Sequence, residues 1–151
     1  FENYSKAITE ALLDGNTDKL VTALNRALST FVSARDTAGR EPKENYYHGL
    51  LNGIIVSSGD LIGEHSSNTD SDDGYADITI CSADFEIAAV IELKYAASRS
   101  ELNEKAKAAL RQIEDKDYAE AERNRGFRKI FGYGIAFFHR QCTVEAAELP
   151  L

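Results

Sequence analysis

The chain has 151 residues, 43% of them hydrophobic and 28% charged, an ordinary balance for one globular domain with a buried core. No apolar run approaches the roughly 20 residues of a membrane-spanning helix and no signal-peptide pattern is present, so no membrane partner and a cytoplasmic location are expected. The net charge of −8 has the wrong sign for a protein that grips nucleic acid by bulk electrostatics.

The chain begins at Phe1 and contains no Met, so a longer gene product is expected. Residues 2–32 read as two helices broken at Asp14-Gly15-Asn16; in the second, Leu20, Leu24, Ala27, Leu28 and Phe31 recur at helical spacing. Nothing in them carries chemistry, and residues 1–40 are expected to be a helical extension or connector. A third helix starts after Gly39-Arg40-Glu41-Pro42, with Pro42 suited to a first turn and Tyr47, Leu50, Leu51, Ile54 and Ile55 as its buried stripe. Glu44 falls along that stripe. It serves either the helix dipole or a metal ion.

Leu61 to His65 is a short strand candidate, followed by a polar loop from Ser66 to Asp73. Tyr75 to Cys81 alternates and reads as a strand. Phe85 to Tyr95 is a second, whose centre Ile87-Ala88-Ala89-Val90-Ile91 is wholly apolar, as a strand covered on both faces should be. An amphipathic helix follows from Ser100 to about Ile113, with Leu102, Ala106, Ala109, Leu110 and Ile113 inward, then a helical stretch from Asp115 to Asn124. Lys129 to Phe138 and Cys142 to Ala146 are strands around the turn His139-Arg140-Gln141. The order predicts an α/β domain over 41–151, with a mixed sheet of about five strands flanked by helices. Cys81 and Cys142 lie in apolar strand segments and are expected as buried, reduced thiols.

Charge is distributed unevenly. Between Glu44 and Leu93 there is no Lys or Arg, while Glu44, Asp60, Glu64, Asp70, Asp72, Asp73, Asp77, Asp84, Glu86 and Glu92 all occur. From Lys94 to Arg140 cations outnumber acids, including Arg111, Lys116, Arg123, Arg125, Arg128 and Lys129, which could meet a phosphate backbone. Glu92 and Lys94 close the central strand and, by alternation, share a face. Two charges there cost several kcal/mol unless paired or bound to an ion. Asp77 is on the preceding strand. Counted from a turn near Ala83, it lies six residues back and Glu92 nine forward, so the two oppose each other only if the register shifts or a bulge intervenes.

Two carboxylates and a lysine suit metal-assisted phosphodiester hydrolysis. Mg²⁺ prefers oxygen ligands and keeps several waters, so two or three carboxylates and a substrate phosphate suffice. Lysine can orient the attacking water or stabilise charge on the phosphate. Glu44 or Glu64 would supply a third carboxylate.

The segments Glu44-Asn45-Tyr46-Tyr47-His48-Gly49, Gly74-Tyr75-Ala76-Asp77-Ile78 and Ala89-Val90-Ile91-Glu92-Leu93-Lys94 carry a resemblance. So do Ala108-Ala109-Leu110-Arg111-Gln112-Ile113 with Tyr118, and Gly132-Tyr133-Gly134-Ile135-Ala136-Phe137. From about Phe1 to Val144 the chain resembles the PD-(D/E)XK nuclease superfamily, in particular a bacterial nuclease-like domain that follows an AAA-ATPase-like domain. The resemblance implies a restriction-endonuclease-like core and Mg²⁺ or Mn²⁺ as cofactor. It also places Asp77, Glu92 and Lys94 on metal and catalytic positions, Glu44 on the helix-borne acid, and Gln112 beside the site. His48 belongs to the pattern too, either as a core histidine or in support of the site. One departure stands out: the family usually has Gly-Arg-x-Asp before the first strand acid, and Tyr75 replaces that arginine.

Two readings follow. In one the protein cleaves a DNA or RNA phosphodiester, DNA being the expected partner, through a metal held by Glu44, Asp77 and Glu92. In the other the fold serves as a non-catalytic interaction or regulatory module for an upstream ATPase-like domain, as the acidic balance and Tyr75 favour. A homodimer is an open alternative to a monomer.

Overall fold

The computed structural model describes residues 2–32, 44–68 and 74–151; the expected helix start at Pro42 and the acids Asp70, Asp72 and Asp73 lie outside the described residues. Helices α1 (Glu2–Asp14) and α2 (Thr17–Phe31) are separated as expected. Gly15 makes the break at φ +69°, a conformation that costs glycine little. Asn16 then caps α2, its side chain accepting a hydrogen bond from the Lys19 N–H at 3.1 Å. Helix α3 spans Glu44–Val56 and buries Tyr47, Leu51, Ile54 and Ile55, while Leu50 packs at the margin of the core.

Five strands form one sheet in the order β1 (Ile62–Ser67), β2 (Ile78–Ser82), β3 (Ile87–Tyr95), β4 (Lys129–Phe138), β5 (Gln141–Leu149). The β1–β2, β2–β3 and β4–β5 pairs are antiparallel, and β3–β4 is parallel. A parallel pair needs a crossover, supplied by α4 (Leu102–Asp115) and α5 (Glu120–Asn124). The polar stretch from Ser66 was expected as a loop, but Ser66 and Ser67 extend β1. Residues 75–77 were expected in β2, which begins only at Ile78. The last helix is shorter than the expected 115–124, because the α4 C-terminus is closed by a turn in which Asp117 has φ 49°. Strand β5 runs past Ala146 to Leu149, paired to β4 throughout.

The strands' period of two divides the core into two layers. Ile78, Ile80, Ile91, Leu93, Tyr133 and Ile135 point towards α1, α2 and α3, where Leu12, Leu20, Leu28 and Ile54 meet them. Ala88, Val90, Ile130 and Ala136 point the other way, towards α4, α5 and Phe127. Strand β3 is therefore covered on both faces, the physical reason for its uninterrupted apolar centre. Both cysteines are buried and free, as expected. Burial pushes the Cys142 thiol up to about 12.

Candidate active site

The alternation of β3 puts Glu92 and Lys94 on the α4 side of the sheet, in line with Ala88 and Val90. Asp77 sits one residue before β2. The ladder ends at the pair Ile78–Ile91, so the next step out brings Asp77 opposite Glu92 with no bulge. The offset expected from a turn at Ala83 disappears because the connection is residues 83–86, with its midpoint between Asp84 and Phe85. Ser82 and Asp84 hold this longer turn: the Ser82 side chain accepts from the Ile87 N–H at 3.0 Å and Asp84 from the Glu86 N–H at 3.0 Å. Asp77 and Glu92 are equidistant from that midpoint.

Each carboxylate is fixed by a backbone N–H of the other's segment. The Asp77 N–H donates to Glu92 Oε1 at 3.2 Å, and the Leu93 N–H donates to Asp77 Oδ2 at 2.8 Å. Glu92 is only 3% exposed. Burial first, and the charge of Asp77 next, push its carboxyl up to about 7. Burial likewise raises Asp77, against the Leu93 hydrogen bond that lowers it. Lys94 favours ionisation of both acids, and Glu44, exposed in the first turn of α3, opposes it from close enough to act on both. Glu44 is thus beside the site but not on the buried stripe of α3, where it was expected.

Lys94 is held by an amide, not by a carboxylate. Its Nζ donates to Gln112 Oε1 at 2.7 Å, and Gln112 Nε2 donates to the Tyr118 hydroxyl at 3.0 Å. An ammonium that spends one N–H on a neutral amide keeps two further donors for a substrate. Tyr118 was not assigned this role in the sequence: it lies beyond the end of α4, and only the folded turn after Asp115 brings its hydroxyl back to Gln112. Replacing Tyr118 by Phe should lower Lys94-dependent activity by roughly 5- to 10-fold, the order of one lost hydrogen bond, with Tm unchanged within about 2 °C. Steady-state kinetics and thermal melts would check it.

His48 is 5% exposed on α3 and shares a hydrogen bond with Ser67 Oγ at 2.8 Å. Asn52 donates to the same hydroxyl at 2.7 Å, and its Oδ1 is 2.9 Å from His65 Nε2. His48 is therefore a hydrogen-bonded, buried histidine whose charge, when present, would favour ionised Asp77. Glu64 is not brought to the site. It pairs across β1 with Arg125 in a two-pronged contact of 2.8 and 3.1 Å. The basic stretch is partly spent in the same way, since Arg123 pairs with Asp117, and Arg128 with Glu86 at 3.1 Å.

Among the described residues, no group of three or more His, Cys, Asp or Glu side chains could hold a metal ion unaided. Asp77 and Glu92 nevertheless supply two hard oxygen donors, both raised by burial and one also by the other's charge. A divalent cation that keeps its waters and takes phosphate oxygens fits such a pair.

A five-stranded mixed sheet between helical layers, with paired acids and a lysine at the adjoining ends of β2 and β3, defines a restriction-endonuclease-like domain. The chain belongs to the PD-(D/E)XK nuclease superfamily, whose family model matches residues 42–147. Nucleases of this superfamily generally use divalent metal ions, and the membership supports a nuclease-type function acting on nucleic acid. No curated protein matches the chain. No helix among the described residues is long and apolar enough to cross a membrane.

Proposed function

We propose that the protein is a Mg²⁺- or Mn²⁺-dependent nuclease that hydrolyses the phosphodiester bonds of a nucleic acid, DNA or RNA, with DNA the expected substrate. The observation that carries the proposal is the interlocked pair Asp77 and Glu92, each hydrogen-bonded to the other's segment, with Lys94 two residues along the same face. Asp77 and Glu92 would hold the ion, with Glu44 as an outer carboxylate. When bound, the ion supplies a water of lowered pKa and neutralises charge on the phosphate. Lys94 orients the attacking water or stabilises charge developing on the phosphate oxygens, and Gln112 keeps its ammonium in place.

Cleavage of plasmid and oligonucleotide DNA and RNA, with Mg²⁺ or Mn²⁺, tests this. Asp77→Asn and Lys94→Ala should each lower the rate roughly 10²- to 10³-fold, the order seen when one electrostatic partner is removed from a transition state. No cleavage of any substrate, or cleavage indifferent to both substitutions, would overturn it.

The second reading is a non-catalytic nuclease-fold module serving an upstream ATPase-like domain, alone or as a homodimer. It is favoured by the ion pairs that occupy Arg123, Arg125 and Arg128, which leave less positive surface for a phosphate backbone. We place the nuclease domain at 41–151, with 1–40 as its helical extension. The two free, buried thiols support a reducing, cytoplasmic setting.

A further inference from the structure

A cavity of about 330 Å³ opens between the β1–β2 edge of the sheet and α5. Tyr75, Thr79, Cys81, Tyr118, Glu122 and Phe127 line it, and none of them is used in the hydrolytic site as described above except Tyr118. The cavity meets that site at two points. Tyr75 and Ala76, at its wall, lead directly into Asp77. Tyr118, on another wall, bears the hydroxyl that holds Gln112 and through it Lys94. Asp77 lies one residue beyond this wall, so the opening adjoins the acid pair along the chain.

The lining chemistry suits a base and not a phosphate. Arg125, the one Arg or Lys lining it among the described residues, is engaged by both oxygens of Glu64 and lies over the Phe127 ring, 5.2 Å from the centroid. Tyr75 is 66% exposed and offers an aromatic face to the opening. Tyr75, Tyr118 and Phe127 give the walls three aromatic rings, the kind of surface on which unstacked bases are held, beside the polar groups of Glu64, His65, Ser66 and Thr79. Of the two carboxylates in the wall, Glu64 is taken by Arg125, while Glu122, half-buried, accepts from its own backbone N–H and is in no ion pair among the described residues. Burial holds its carboxyl above the ordinary range, with Arg125 opposing. A carboxylate in such a place accepts from adjacent N–H groups, of which guanine presents two on its pairing edge, while adenine and cytosine present an amino group and thymine a single imino hydrogen. The volume of about 330 Å³ is at the small end of ligand sites and suits one nucleoside, and a base that offers its pairing edge to Glu122 is unpaired.

Resting on the nuclease reading, we propose that this cavity is a subsite for one unpaired nucleobase next to the scissile phosphate, bound against Tyr75 and read by Glu122 with guanine foremost. The substrate is then single-stranded or frayed nucleic acid.

The test uses the full chain with Mn²⁺ and 5′-labelled single strands carrying dG, dA, dC, dT or an abasic unit beside the cleaved phosphate. Wild type should cut single strands faster than duplex. It should show a KM about tenfold higher on the abasic strand than on the dG strand, the order of one lost base–aromatic stack. Tyr75→Ala should erase most of that difference, and Glu122→Gln should erase the preference for dG over dT. Variants that discriminate among the five strands as wild type does would overturn the subsite while leaving the nuclease reading intact. If wild type cuts duplex or plasmid but none of the strands, the subsite is overturned; if it cuts no substrate at all, the nuclease reading fails, and binding of the same strands in Ca²⁺ decides the subsite. Preference for dG over the abasic strand that Glu122→Gln removes would support it; equal binding of all strands would overturn it.

Discussion

Glu92→Gln is expected to abolish cleavage and, at the same time, to stabilise the metal-free protein above pH 7. Glu92 is 3% exposed at the end of an apolar strand, and its carboxyl is pushed up to about 7 by burial and by Asp77. A carboxyl whose folded pKa is raised binds more protons in the native state than in the unfolded chain. Its contribution to stability is thus fully present below the unfolded value of 4.5 and is lost as pH rises through about 7. The loss is on the order of 2–3 kcal/mol by pH 8. Glutamine carries no charge to desolvate, can still accept the Asp77 N–H, and replaces repulsion of the Asp77 carboxylate with an N–H donor. Chelator-treated wild type should melt lower at pH 8 than at pH 5.5 from this group's contribution. Glu92→Gln should lack that part of the slope and melt roughly 4–10 °C above wild type at pH 8. Added Mn²⁺ should raise the melting temperature of wild type, not of the variant. A variant no more stable than wild type at pH 8 would mean that the Glu92 charge is already compensated within the protein.

The second large effect is structural. Gly134 is the β4 partner of Glu92, and α4 crosses directly over it. A Cβ at this position would overlap the Ala106 carbonyl oxygen and stand 2.5 Å from the Leu110 nitrogen. Both obstacles are backbone atoms of one helix, so no rotamer change relieves them. Gly134→Val should force α4 off the sheet at a cost of about 3 kcal/mol or more, with a melting temperature lower by at least roughly 6 °C. Because α4 carries Gln112, the same variant should lose activity beyond what unfolding explains. Gly134→Ala should do so to a smaller degree. Thermal melts with kinetics well below the transition would separate the two losses.

Much of this arrangement was legible in the sequence because it rests on periodicity. The apolar centre of β3 announced a strand covered on both faces, and alternation alone placed Glu92 and Lys94 side by side. Helices α2, α3 and α4 were marked by their buried stripes, and α1 was set off from α2 by the break at Gly15. What was not legible depended on contacts distant along the chain. The facing of Asp77 and Glu92 turned on the side chains of Ser82 and Asp84, which lengthen the turn by hydrogen bonds that no local preference at Ala83 would suggest. Glu64 and Arg125 are 61 residues apart, and only the fold makes each the other's partner, withdrawing one acid from the site and one cation from the basic stretch. Glu44, read from helical spacing as part of a buried stripe, is exposed in the first turn of α3 and acts on both acids by its charge. Tyr118 reaches Gln112 through a turn with a left-handed residue at Asp117, a geometry that pattern reading had taken for helix.

The central claim is that Asp77 and Glu92 together hold a divalent ion. Titration of Mn²⁺ into the metal-free protein at pH 8, followed by calorimetry, tests it most directly. The expected result is saturable binding in wild type and in Lys94→Ala, lost in Asp77→Asn and in Glu92→Gln. Binding that survives both carboxylate substitutions, or no binding to wild type even with an oligonucleotide present, would contradict the account.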